Sequence, residues 1–113
     1  MIKIYHNSSC TKSCIALAAI TKNGEQFEVI NYLENVPTVE ELRSIIAKLQ
    51  CKPHDIIRTT EKIYLTKFEG KNLNDEEWIV AMHENPILIQ RPIIVKDNFA
   101  VIGRSEDSLD EII

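Results

Sequence analysis

Apolar residues come in short runs along this chain, and each run is bounded by polar residues, proline or glycine. "IKIY", Ile2 to Tyr5, alternates only weakly and is short, which predicts a buried strand. "CIALAAI", Cys14 to Ile20, is apolar on nearly every side and rich in strong helix formers. A helix is expected there, stopped by Asn23-Gly24 with the glycine in a left-handed cap. "FEVIN", Phe27 to Asn31, reads as a second strand, and strand, helix, strand in that order makes a right-handed parallel unit. After Pro37, Thr38 and Glu41 fit a capping box, each side chain meeting the other's free backbone amide. The helix behind it sets Leu42, Ile45, Ile46 and Leu49 on one face, at i, i+3, i+4 and i+7. A short helical piece is expected from Pro53 to Ile57. Asn74 and Glu77 repeat the cap signal before a helix carrying Trp78, Ile79 and Met82, which Asn85-Pro86 ends. The pattern then changes. "ILIQRPIIVK" and "FAVIG" flank Asp97-Asn98, a two-residue hairpin turn that tolerates positive φ. Ser105 can cap a final helix holding Leu109, Ile112 and Ile113. The order βαβ, helical block, ββα predicts an α/β fold with a mixed sheet flanked by helices.

At 113 residues the chain is expected to be one domain, 1–113, with a helical insertion at about 38–85. The formal net charge of -4 and the lack of a basic block argue against nucleic-acid binding. The amino-terminal residues lack the long apolar stretch of a signal peptide, and no run is long enough to span a bilayer, so a cytoplasmic protein is expected. Thiols are normally reduced in that compartment. The three cysteines therefore read as core fillers, metal ligands or reactive thiols and not as a disulfide framework.

The segment "HNSSCTKSC", His6 to Cys14, joins the first strand to the first helix. Cys10 sits at the helix start, where four backbone N–H groups lack intrahelical partners and the macrodipole adds positive charge. Both effects favour a thiolate, and the same amides would hold an oxyanion. Lys12 adds a cation and Ser13 a hydroxyl. Cys14 lies one turn on and begins the apolar run. A buried small hydrophobe is its simpler reading, with a resolving thiol as the alternative. Cys51 reads as a half-buried filler. His6, at a strand end, is either a hydrogen-bonded structural residue or a tuner of the nearby thiol. His6, Cys10 and Cys14 give H-x3-C-x3-C, but structural zinc wants four ligands at knuckle spacing, and His54, His83 and Cys51 are scattered singly, so no metal is expected.

Arg43 falls on the outer face of its helix and reads as a solvated charge. Arg58, Arg91 and Arg104 instead sit at junctions of buried elements, where a charge needs a partner. A guanidinium fork suits tetrahedral oxyanions, but three separate carboxylate pairings explain the spacing equally well. Pro92, inside an apolar run, is compatible with an edge strand or a cis peptide.

Taken together, "IYHNSSCTKS", "LENVPTVEEL", "IIRTTE", "NPILIQRPIIV" and "IGRSED" resemble the glutaredoxin-dependent arsenate reductases and their ArsC-like relatives, in the same order and almost end to end. The resemblance implies a thioredoxin-like fold with a four-stranded mixed sheet. It places the reactive cysteine on Cys10, the oxyanion-binding arginines on Arg58, Arg91 and Arg104, a supporting histidine on His6 and a cis proline on Pro92. The implied reaction is attack by the Cys10 thiolate on arsenate, with glutathione as co-substrate, glutaredoxin as partner, no bound cofactor and a monomeric enzyme. The chain departs from the family pattern at Ser8, usually proline, at Cys14, usually arginine, and at Thr11-Lys12, usually Gly-Thr. An alternative of the same fold is a regulator resembling Spx, which senses oxidation and binds RNA polymerase. Spx proteins carry Cys-x-x-Cys, whereas this chain has Cys-x-x-x-Cys.

Overall fold

The computed structural model describes all 113 residues, Met1–Ile113. The principal elements are β1 (Ile2–His6), α1 (Thr11–Asn23), β2 (Phe27–Asn31), α2 (Val39–Leu49), α3 (Asp75–Glu84), β3 (Ile93–Lys96), β4 (Phe99–Ile102) and α4 (Glu106–Asp110). Two compact units result. Met1–Asn35 and Arg91–Ile113 form the first, and Val36–Gln90 the second.

The first unit is a four-stranded mixed sheet flanked by helices, in the order β2-β1-β3-β4. β1 pairs parallel with β2 and antiparallel with β3, and β3 pairs antiparallel with β4. Ile2 and Ile4, two residues apart on β1, share one face with Ile94 and Val101. Ala16 and Ile20 of α1, with Leu109 and Ile112 near the carboxyl end, complete that buried cluster. Each fully buried side chain of this size is worth about 1.5–3 kcal/mol, so the cluster holds the unit together without a covalent staple. All three cysteines are free thiols. The αL cap falls on Gly24, with φ 83°, as its sequence position requires. The hairpin turns at Asp97, φ 55°.

Three expectations need correction. α1 is not buried all round. Its inward face is Ser13, Ala16 and Ile20, while Ile15 is 53% exposed, because a helix lying on one sheet face can bury only one stripe. "ILIQRPIIVK" is not one strand. Pro86–Leu88 is a 3-10 turn, Ile89 makes an isolated bridge to Ile57, and β3 starts at Ile93 after the cis Arg91-Pro92 peptide. α4 is five residues long and ends at Asp110, so Ile112 and Ile113 lie beyond it.

In the second unit both expected capping boxes form. Thr38 Oγ1 accepts from the Glu41 amide at 3.1 Å and Asn74 Oδ1 from the Glu77 amide at 2.8 Å, with the glutamates reciprocating. Leu42, Ile45 and Ile46 of α2 and Trp78, Ile79 and Met82 of α3 are buried. Arg43, exposed as expected, pairs with Glu76. A π-helical turn at Tyr64–Phe68 carries no signal in the apolar pattern; it brings Tyr64 and Phe68 against Trp78, with ring centroids 6.2 and 5.9 Å away. No helix is long and apolar enough to cross a membrane.

Candidate active site

Strand register assembles the site. In β1 and β3, Tyr5 faces Ile93, and in β3 and β4, Ile93 faces Ile102. Just past these strand ends, Gly103 N–H donates to the Pro92 carbonyl and Arg104 Nη1 to the Arg91 carbonyl, while His6 ends β1. Three chain segments remote in sequence therefore deliver their polar residues to one edge of the sheet, where α1 begins.

Cys10 is the residue before α1, in extended conformation, with no side-chain cap to occupy the helix-start amides. Its own N–H donates to the Asn7 carbonyl at 3.0 Å, closing a tight turn, and its carbonyl accepts the first helical bond from Cys14 N–H at 3.1 Å. The Ser9 amide donates to Asn7 Oδ1 at 2.9 Å. Beneath the turn lies Ser13, with no exposure at all. Its hydroxyl lies 2.6 Å from His6 Nδ1 and accepts from the Asn7 amide at 3.1 Å. A neutral imidazole satisfies that hydroxyl in either tautomer. Burial lowers the His6 pKa, so the ring is neutral at pH 7. Of the two roles open to His6, the geometry fits the structural one: through Ser13 it pins the first turn of α1 to the end of β1.

Arg104 follows β4 directly. Its Nη1 donates to the Arg91 carbonyl at 2.7 Å and lies 3.8 Å from Cys10 Sγ, within reach of a sulfur hydrogen bond. Gly103 N–H donates to the Pro92 carbonyl at 2.9 Å. A side chain at Gly103 would bring its Cβ to 2.6 Å from Ile94 Cδ1, so any larger residue beside Arg104 forces Ile94 to shift. Burial by itself pushes the Cys10 thiol up. The Ser13 amide, the Arg91 and Arg104 guanidinium groups and the Lys12 amide outweigh it and hold the thiol below its ordinary range. Cys10 is half-buried, so the sulfur is both charged early and reachable.

The structure thus brings together Cys10, Arg91, Arg104, His6, Ser13, Lys12 and Pro92, all in the first unit. Arg58 belongs to the second. There its Nε donates to Glu61 at 2.9 Å and its Nη1 to Gln90 Oε1 at 2.9 Å, the carboxylate pairing that was one of its two readings. Cys14 is exposed, with its thiol 3.4 Å from the Ser8 carbonyl. The buried-filler reading fails because Cys14 lies off the Ser13–Ala16–Ile20 stripe. Cys51 is half-buried as expected, and burial followed by the nearby Asp55 raises its thiol pKa. Pattern reading overlooked Asn7, which is buried and organises the turn. Its position beside a strand-end histidine, ahead of Ser-Ser, was the available signal. Gly103 was overlooked as well.

The arrangement is a thiolate at the edge of a cluster of N–H donors with two guanidinium groups beside it. It can attack an electrophile and stabilise oxygens that gain negative charge.

Comparison with known proteins agrees with this picture. The model of the ArsC family matches residues 5–112. An arsenate reductase from Neisseria meningitidis serogroup A is 30% identical over 99% of this chain and 97% of its own. The uncharacterised protein YfgD of Escherichia coli K12 is 35% identical over 99% and 96%. Among solved structures, an arsenate reductase from Vibrio cholerae superposes with a TM-score of 0.93 at 37% identity, covering 99% of this chain and 97% of that one.

Proposed function

This chain belongs to the ArsC family, and from that membership and the site we propose that it is a thiol-dependent oxidoreductase that reduces arsenate to arsenite through Cys10. The Cys10 thiolate attacks the arsenic atom, a sulfur–arsenic bond forms, and one oxygen leaves as water after taking protons. Arg91, Arg104 and the helix-start amides hold the remaining oxygens. The family resemblance assigns Arg58 the same anion-binding role. A glutathione thiolate then attacks Cys10 Sγ. The sulfur–arsenic bond breaks with its electron pair on arsenic, giving arsenite, while the two sulfurs are oxidised to a mixed disulfide. Glutaredoxin removes the glutathione by thiol–disulfide exchange and frees the Cys10 thiolate.

The observation that carries this reading is Arg104 Nη1 at 3.8 Å from Cys10 Sγ. A cation held beside a half-buried thiol at a helix start supports a nucleophile that is also an anion site. The test is intact mass after incubation with arsenate and glutathione, with arsenite measured in parallel. The expected product is one glutathione on Cys10, lost in Cys10→Ser together with arsenite formation and still formed in Cys14→Ser. Arsenite production at the wild-type rate by Cys10→Ser would refute the assignment. An internal Cys10–Cys14 bridge would show that Cys14, not glutathione, resolves the adduct.

A further inference from the structure

Arg58 is gripped from two sides within the second unit. Ile57 and Ile89 form an isolated antiparallel bridge. Around it, Arg58 N–H donates to the Leu88 carbonyl and Gln90 N–H to the Ile56 carbonyl, both at 2.8 Å. Arg58 and Gln90 are therefore diagonal neighbours across the bridge, and Arg58 Nη1 donates to Gln90 Oε1 at 2.9 Å. On the other side, Glu61 N–H closes a turn on the Arg58 carbonyl at 3.3 Å. That turn brings the Glu61 carboxylate back to Arg58 Nε at 2.9 Å. Nη2, the third nitrogen, has no hydrogen bond within the protein and is not sealed from solvent. The three nitrogens of a guanidinium share one carbon, so an oxyanion on Nη2 lies beside the carboxylate as well as the cation. Both side chains of the ion pair are largely buried, 19% and 23% exposed, so water screens the carboxylate only in part.

An ionised carboxylate only accepts hydrogen bonds, and it has about four lone-pair positions for them. One bond from Arg58 does not exhaust it. Against an oxyanion with no proton, the carboxylate meets like charge, and two acceptors face each other with no hydrogen between them. Against an oxyanion that keeps a proton, the anion's own hydroxyl donates to it in a charge-assisted bond.

We propose that Glu61 is a specificity residue that selects oxyanions retaining a proton at neutral pH, such as arsenate and phosphate, over fully ionised ones such as sulfate. Arg58 Nη2 donates to one oxygen of the anion, and Glu61 accepts from its hydroxyl. Gln90 holds the guanidinium in place and, being uncharged, takes no part in the choice. The inference rests on the anion-binding role of Arg58 in the proposed reaction and adds the class of anion that this arginine accepts.

The test is NMR titration of the whole protein with inorganic phosphate and, separately, with sulfate, at pH 7 and constant ionic strength, following the signals of Arg58 and its neighbours. The wild type is expected to bind phosphate about tenfold more tightly than sulfate, the cost of an acceptor left without its hydrogen. In Glu61→Gln the preference falls to about one, chiefly because sulfate binds better. Glu61→Ala, which leaves no amide in the carboxylate's place, carries the same expectation. Gln90→Ala weakens both anions and keeps their ratio. A wild type that binds sulfate as tightly as phosphate, or Glu61 variants that shift both affinities alike, overturns the selection by Glu61, even where arsenite is formed from arsenate. A phosphate preference that disappears in the Glu61 variants, in a protein that forms no arsenite, would overturn the reductase reading and leave the role of Glu61 standing.

Discussion

Replacing Ser13 with alanine should unseat the cysteine without touching it. The Ser13 hydroxyl has two buried partners, His6 Nδ1 at 2.6 Å and the Asn7 amide at 3.1 Å. Alanine leaves both groups inside the protein with nothing to bond. A buried polar group stripped of its partner costs about 1–3 kcal/mol, so the loss for two, allowing for some relaxation, is about 2–4 kcal/mol. Unfolding entropy of about 2.1 cal/mol/K per residue, over 113 residues, converts that into a fall in Tm of about 8–17 °C. The assay is thermal unfolding followed by circular dichroism, with the rate of Cys10 alkylation by iodoacetamide measured at pH 7 well below the transition. Cys10 in the wild type should react at a pH where an ordinary thiol is still protonated. In Ser13→Ala the rate should drop, because the turn that aims the Ser13 and Lys12 amides at the sulfur is no longer pinned to β1. A Tm within about 3 °C of wild type, with unchanged alkylation, would show that the turn holds its shape without this hydroxyl and that Ser13 does not position the cysteine.

Two further outcomes follow from the same region. Gly103→Ala places a methyl group 2.6 Å from Ile94 Cδ1 and 3.3 Å from Leu109 Cδ2 and Pro92 Cγ. Overpacking of this kind costs about 1–3 kcal/mol, a Tm lower by about 4–13 °C, and an unchanged Tm would mean that the backbone has room to move. Stability should also depend on His6. Its pKa is lowered by burial, so below about pH 6.5 the unfolded chain binds a proton that the folded chain refuses. Stability is then fully present above that pH and is lost as pH falls towards the folded pKa. Urea unfolding at several pH values checks this, with His6→Asn expected to flatten the acid-side slope and an identical slope in both proteins counting against it.

Much of the molecule is legible in the chain itself. The capping boxes at Thr38 and Asn74, the αL glycine at position 24 and the turn at Asp97 all appear where the local pattern places them. So does Cys10 at the start of α1. These features depend on interactions within a few residues, and such interactions are written in adjacent letters. The break of "ILIQRPIIVK" at Pro92 and the exposure of Cys14 and Ile15 are not legible in this way. They turn on which stripe of a helix meets a sheet and where a strand stops finding a partner. The site is also a product of pairing. Cys10 and Arg104 are 94 positions apart, and only the order β2-β1-β3-β4 sets the ends of β1, β3 and β4 side by side. A local pattern specifies that a strand exists and which face is apolar. Which strand lies beside it is decided when distant apolar faces and backbone ladders are satisfied together, and that condition alone brings the two guanidinium groups of the first unit to the sulfur.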